Sequence, residues 1–190
     1  MKRAYGAILL LLACIPVTPQ ESQSPSVFRV DAKYDSFTDT TTVQCGDLVK
    51  WGEAPAGLSV QANLSFRGKE QDRTPEMNTP VSFWFSLSSN QGGATRNAKP
   101  AFRDAKTLYL VADSTRLEIP VKDYRNAFYE LVRSYSESAS AEMSREDLRK
   151  LLDAKALEGK WGGVEFKFSN AALVTLKAFI SRNVFASESN

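Results

Sequence analysis

A chain of 190 residues that is 43% hydrophobic and 24% charged, with 10 Gly and 8 Pro, has the make-up of one soluble globular domain. That composition excludes a disordered chain and a polytopic membrane protein. The absence of His removes every mechanism built on imidazole, including Ser-His-Asp and Cys-His sites and mixed Cys/His zinc sites. The formal charge of +2 is too small to imply a polyanionic partner.

The chain opens Met1-Lys2-Arg3 and continues with the apolar stretch Ala4 to Ala13, which contains four consecutive leucines, Leu9 to Leu12. A charged start and a hydrophobic middle are the marks of a secretory signal, and this one is too short to span a bilayer. Its end, Leu11-Leu12-Ala13-Cys14, resembles the bacterial lipobox, which implies lipid attachment at Cys14. An ordinary signal cut before Ser26 is the alternative. Residues 14–26 hold three Pro, three Ser and two Gln between Ile15 and Ser26, the composition of a solvated linker. The expected organisation is therefore a signal over 1–13, a linker over 14–26, one β-rich domain over 27–185 and a short tail over 186–190. Loss of Lys2 and Arg3 with the signal leaves 22 basic against 22 acidic residues. A neutral domain gives no electrostatic case for nucleic acid. The densest basic stretch, Arg96, Lys99, Arg103 and Lys106, is interrupted by Asp104 and reads as a solvated loop.

Period-two alternation predicts a half-buried first strand from Val27, with Phe28, Val30, Ala32 and Tyr34 on one side and Arg29, Asp31 and Lys33 on the other. A second strand is expected over Thr41 to Cys45, and a third over Leu58 to Arg67, where the alternation is cleanest. Trp51 reads as a loop residue folded onto the sheet. After a polar loop from Gly68 to Pro80 comes a fourth strand, in which Val81, Phe83, Phe85 and Leu87 oppose Ser82, Trp84 and Ser86. Leu108 to Ile119 fits a hairpin turning at Asp113-Ser114, which sets Leu110 against Leu117, Leu108 against Ile119 and Tyr109 against Glu118. Ala127 to Ser136 fits either a helix or an edge strand, with strand preferred. Ser144 caps a short helix carrying Leu148, Leu151 and Leu152, and Ser169 caps a second helix reaching about Val184 with Leu173, Leu176, Ile180 and Val184 buried. Strands followed by late helices specify an α+β class: a predominantly antiparallel β-sheet or sandwich with two late helices.

Ala154 to Phe168 solves as a hairpin with Gly162-Gly163 as its turn, both glycines being expected to supply positive φ. The register pairs Trp161 with Val164, Lys160 with Glu165, Gly159 with Phe166, Glu158 with Lys167 and Leu157 with Phe168. The pattern Ala154-x-x-Leu157-Glu158-Gly159-x-x-Gly162-x-Val164-Glu165-Phe166, followed by a capped helix, resembles the C-terminal hairpin of small exported bacterial envelope proteins of uncharacterised function. That resemblance implies a fold and no catalytic residues. Against those proteins, Ser136 to Met143 looks like an insertion.

Candidate sites are few. Glu158 and Glu165 could form a glycosidase pair, but each faces a lysine that would keep it ionised, so they read as structural pairs. Asp31, Asp35 and Asp39 recur around a turn but lack a calcium-loop pattern, and Asp is an ordinary turn former. Cys45 reads as a small buried hydrophobe. Trp84 stands out, because it points away from Phe83 and Phe85 with Ser82 and Ser86 beside it. It could be a platform for a sugar or a partner, although a second layer packed over it is the preferred reading. The leading functional expectation is a non-catalytic exported envelope module, a lipoprotein that is protein-binding or structural, with no catalytic residue, metal or cofactor. The alternative is a carbohydrate- or ligand-binding module using Trp84, and the third is a His-free hydrolase. An envelope protein or glycan is the expected partner, and contact with membrane is expected only through a lipid anchor.

Overall fold

The fold was obtained as a computed structural model, which describes residues 30–50, 57–69, 82–94 and 99–185. The signal, Cys14, the linker, Val27, Trp51 and Arg96 lie outside the described residues. Nine strands form one antiparallel sheet: β1 Val30–Asp35, β2 Thr40–Val49, β3 Leu58–Arg67, β4 Ser82–Gly92, β5 Thr107–Ala112, β6 Thr115–Tyr129, β7 Ser134–Glu142, β8 Leu157–Trp161 and β9 Val164–Lys167. Helix α1 spans Arg145–Asp153 and α2 spans Asn170–Val184. The strand order is β1-β2-β3-β4-β7-β6-β5-β8-β9. Of the two expected architectures, the single sheet with two late helices is the one observed.

The helices cover one face. On it, Val43, Cys45, Ala62, Leu64, Phe66, Phe83, Phe85 and Leu87 join Leu148, Leu151, Leu173, Leu176, Phe179 and Ile180 in one buried cluster. Phe83 packs its ring 6.1 Å from Phe179 of α2 and 5.8 Å, edge-on, from Phe85, which places α2 directly over the centre of the sheet. Both helices begin as their caps require. Ser144 Oγ accepts from the Asp147 amide at 3.1 Å, and Ser169 Oγ accepts from the Ala172 amide at 3.2 Å. Arg145 and Arg149 lay their guanidinium groups over Phe185, tying α1 to the end of α2.

Both hairpins have the expected register. Asp113-Ser114 is a weak turn pair by composition, and the structure shows what supports it. Asp113 takes φ +53°, which Asp tolerates better than most residues, and its carboxylate accepts from the amides of Lys155 and Ala156. The β5–β6 turn is thereby pinned to the entry of β8. In the β8–β9 turn only Gly162 has positive φ, at +58°, with Phe102 and Ala105 packed around it, so the expectation of two left-handed glycines is corrected to one. Gly159 is required for a different reason: a Cβ there would fall inside the Phe166 ring lying across it.

Three readings are corrected. Ser136 to Met143 is no insertion, because β7 lies in the middle of the sheet between β4 and β6. Its core-side residues are only Ala139, Ala141, Tyr135 and a glutamate, Glu137, so the strand lacks a bulky apolar signature. Ala127 to Ser136 is strand, as preferred, but holds the turn between β6 and β7 at 130–133. The first strand alternates as expected, yet Asp31 to Asp35 are all exposed because β1 is the sheet edge, beyond the reach of the helices.

Glu137 is 1% exposed and is satisfied by three donors: the Ala101 amide at 3.0 Å, the Phe102 amide at 2.9 Å and the Tyr124 hydroxyl at 2.7 Å. Burial and this contact push the Tyr124 phenol above its ordinary value. The carboxylate anchors the segment before β5, which in turn stacks Phe102 on Trp161 with ring centroids 4.0 Å apart. In this segment Lys99, Arg103 and Lys106 are exposed, as a solvated loop requires.

Candidate functional site

The face opposite the helices is polar, and among the described residues no helix or second sheet covers it, although Ser59, Asn63 and Ser65 of β3 are themselves buried there. Where β3, β4 and β7 run side by side, the registers set Asn63 against Trp84 and Trp84 against Glu142, Gln61 against Ser86 and Ser86 against Ser140, and Ser88 against Ser138. Every second residue of these strands is therefore small or polar, and Trp84 is the single large side chain among them. It is half-buried, not enclosed. Among the described residues no second layer lies over Trp84.

β6 forms the far wall. Its first half, Thr115 to Pro120, pairs with β5 and its second half, from Val121, with β7. Between Lys122 and Arg125 the register shifts by a bulge in which Asp123 takes φ +52°. A bulge re-aims side chains, and this one brings Lys122, Asp123 and Arg125 to the groove. The result is a groove of about 570 Å³ whose lining includes Trp84, serines from β4 and β7, Lys122, Asp123, Arg125 and Glu142, together with Leu87 and Ala139.

Its polar atoms are organised by one another. Asn63 Nδ2 donates to Ser86 Oγ at 2.8 Å, and the hydroxyls of Ser65 and Ser82 lie 2.9 Å apart. Ser140 Oγ donates to Asp123 at 3.0 Å, and the Lys122 ammonium pairs with Glu142 at 3.1 Å. Gln61 bridges Gln44 and Asp47. These contacts hold the donors and acceptors in fixed directions around the indole face. Glu142 is ion-paired and Asp123 is hydrogen-bonded, so the groove presents hydroxyls, amides and one aromatic platform in an arrangement suited to binding.

The other candidates are not brought into this groove. Glu165 pairs with Lys160 at 2.8 Å and Glu158 with Lys167 at 2.6 Å, on the outer face of β8 and β9. The Lys160 ammonium holds the Glu165 carboxyl below its ordinary value, the reverse of what a general acid needs. These pairs border a second hollow of about 520 Å³ with Tyr109 and Arg116, where the charges answer one another. Cys45 is fully buried, and burial raises its thiol to about 11, which disfavours the reactive thiolate. Asp35 accepts from the Phe37 amide and Asp39 from the Tyr34 hydroxyl, and among the described residues no group of carboxylates converges as a metal site would. No helix among the described residues is long and apolar enough to cross a membrane.

Alternation found Trp84 and its serines, but it missed Lys122, Asp123, Arg125, Ser138, Ser140 and Glu142. The signal for the two serines and the glutamate was the period-two run Ser134-x-Ser136-x-Ser138-x-Ser140-x-Glu142. For the β6 residues, only the structure reveals the bulge. No family model matches the chain, no curated protein matches it, and no solved structure matches its fold.

Proposed function

We propose that this chain is a non-catalytic, ligand-binding module of the bacterial envelope, exported and tethered through lipidated Cys14, and that the Trp84 groove is its binding site. The observation that carries the reading is the half-buried Trp84 on the helix-free face, where it lines the groove between Ser82 and Ser86 of β4 and opposite Glu142 of β7. An aromatic face bordered by hydroxyls and amides fits a glycan, whose apolar C–H face stacks on the ring while its hydroxyls exchange hydrogen bonds with the rim. From Ser82 to Ser88 the floor runs seven residues along β4, roughly 20 Å over six steps of strand rise, long enough for several sugar units. The groove's charges largely answer one another, which favours a neutral ligand.

This reading moves the weight from a protein partner, the leading expectation from sequence, to the carbohydrate alternative. Protein binding on the same face stays second, because Trp84 would also serve as an interface anchor. The resemblance of the β8–β9 hairpin to exported envelope proteins supports the address and adds nothing about the ligand. Two experiments test the proposal. Calorimetric titration with neutral oligosaccharides is expected to show binding that Trp84→Ala weakens about 30-fold, the loss of an aromatic anchor contributing about 2 kcal/mol. Intact mass of the protein from a bacterial host is expected to carry a diacylglyceryl-sized increment that Cys14→Ser abolishes.

A further inference from the structure

The two edges of the sheet are built differently. β9 has four residues, and its Glu165 and Lys167 are bound to Lys160 and Glu158 of β8. β1 has six residues, pairs only with β2, and has no strand beyond it among the described residues. Among the described residues, no strand meets the backbone amides and carbonyls of its outer side. Two of its core-side residues are also solvent-exposed. Ala32 and Tyr34 continue the row begun by Val43 and Thr41 of β2, yet Ala32 is exposed and Tyr34 is 36% exposed.

The charges on this edge are self-complementary in one register. Asp31, Lys33 and Asp35 share the polar face, and all three are exposed. If β1 pairs antiparallel with β1 of a second copy about a two-fold axis at Ala32, Asp31 lies directly opposite the partner's Lys33, and Lys33 opposite the partner's Asp31. Position 30 then faces position 34, and Ala32 faces itself. All five positions from 30 to 34 lie within the strand. Shifting the axis to Lys33 sets Lys33 against itself and Asp31 against Asp35, twice. Shifting it to Asp31 sets Asp31 against itself. An axis at Tyr34 restores attraction between Lys33 and Asp35 but leaves only 33 to 35 paired within the strand. Since like charges directly opposite destabilise a ladder and opposite charges support it, the pattern selects the Ala32 axis.

We propose that β1 is a homodimerisation edge, through which two copies join their sheets about a two-fold axis at Ala32. The interface is isologous, as a closed dimer requires, and its second occupant is another copy of this chain. A single strand pair buries little area, so the dimer is weak and reversible, and salt loosens it by screening the exposed pairs.

Sedimentation analysis of the full mature chain over a wide concentration range tests this. The native protein is expected to show a concentration-dependent dimer that weakens at high salt. Lys33→Asp and Asp31→Lys each make both cross-strand pairs repulsive, and each is expected to weaken the dimer about tenfold or more. An equimolar mixture of the two variants restores complementarity, because every position 31 then meets an opposite charge at 33, and it is expected to form a heterodimer. That rescue cannot come from variants that fail to fold. A native chain that stays monomeric up to about 1 mM, a concentration scale that would register even weak association, overturns the proposal. So do single variants that dimerise as well as the native chain, or a mixture that stays monomeric.

Discussion

Adjacent residues of β4 lead opposite lives. Phe83, Phe85 and Leu87 point under α2 and are at most 3% exposed, while Trp84, Ser86 and Ser88 point the other way into an open groove. The same backbone thus supplies the core from one set of alternate residues and the candidate site from the other. Hydrophobicity alone does not separate them, since Trp84 is as apolar as its neighbours. What separates them is cover: two helices, both after β7 in the chain, fill one face, and no described element fills the other.

The largest expected effect comes from testing that contrast directly. Phe85→Ala should destabilise the fold by about 3–5 kcal/mol, because a fully buried ring leaves a cavity, whereas Trp84→Ala should cost under about 1 kcal/mol. Denaturant unfolding of the two variants measures both, and a Trp84→Ala loss as large as that of Phe85→Ala would break the comparison. A second contrast lies on β7. Glu137→Gln replaces one acceptor oxygen with a donor facing a backbone amide that can only donate, Ala101 or Phe102, and should cost about 1–3 kcal/mol, while Ser138→Ala on the opposite face should change stability little.

A third contrast sits within one turn. Gly162→Val forces a β-branched residue into positive φ against Phe102 and should lower the unfolding temperature by several degrees, on the order of 1–2 kcal/mol. At Gly163 an added Cβ meets no atom within 4 Å and φ is not positive, so Gly163→Val should do much less. Equal effects would show that the turn depends on both glycines. The smallest effect belongs to the exposed charge pairs of β8 and β9. Because Glu165 is held below its ordinary value, its contribution is present at neutral pH and is lost as the pH falls through that depressed value. An NMR titration should find the Glu165 carboxyl returning toward the ordinary value in Lys160→Ala.

Much of this was legible in the residues, and the failures share a cause. The hairpins at Asp113 and Gly162 were readable pair by pair because bulky residues alternate with charged ones. β7 was not, because Ser-Tyr-Ser-Glu-Ser-Ala-Ser-Ala alternates residues of small hydrophobic contrast and places its glutamate on the core side. Alternation also reports which residues share a face without reporting whether anything covers that face. For that reason β1 looked half-buried and is exposed, and the half-burial of Trp84 could not be read from its period. The β6 wall of the groove depends on a bulge at Asp123, a backbone feature that no periodicity encodes.

The central claim is that the open face binds a ligand through Trp84. It is tested most directly by adding neutral tetra- and hexasaccharides to isotope-labelled protein and following the indole and serine amide signals of the groove. Saturable shifts confined to Trp84, Ser86, Ser88, Ser138 and Ser140, and lost in Trp84→Ala, are the predicted result. Unmoved signals at millimolar saccharide, or shifts that persist without the tryptophan, would contradict it.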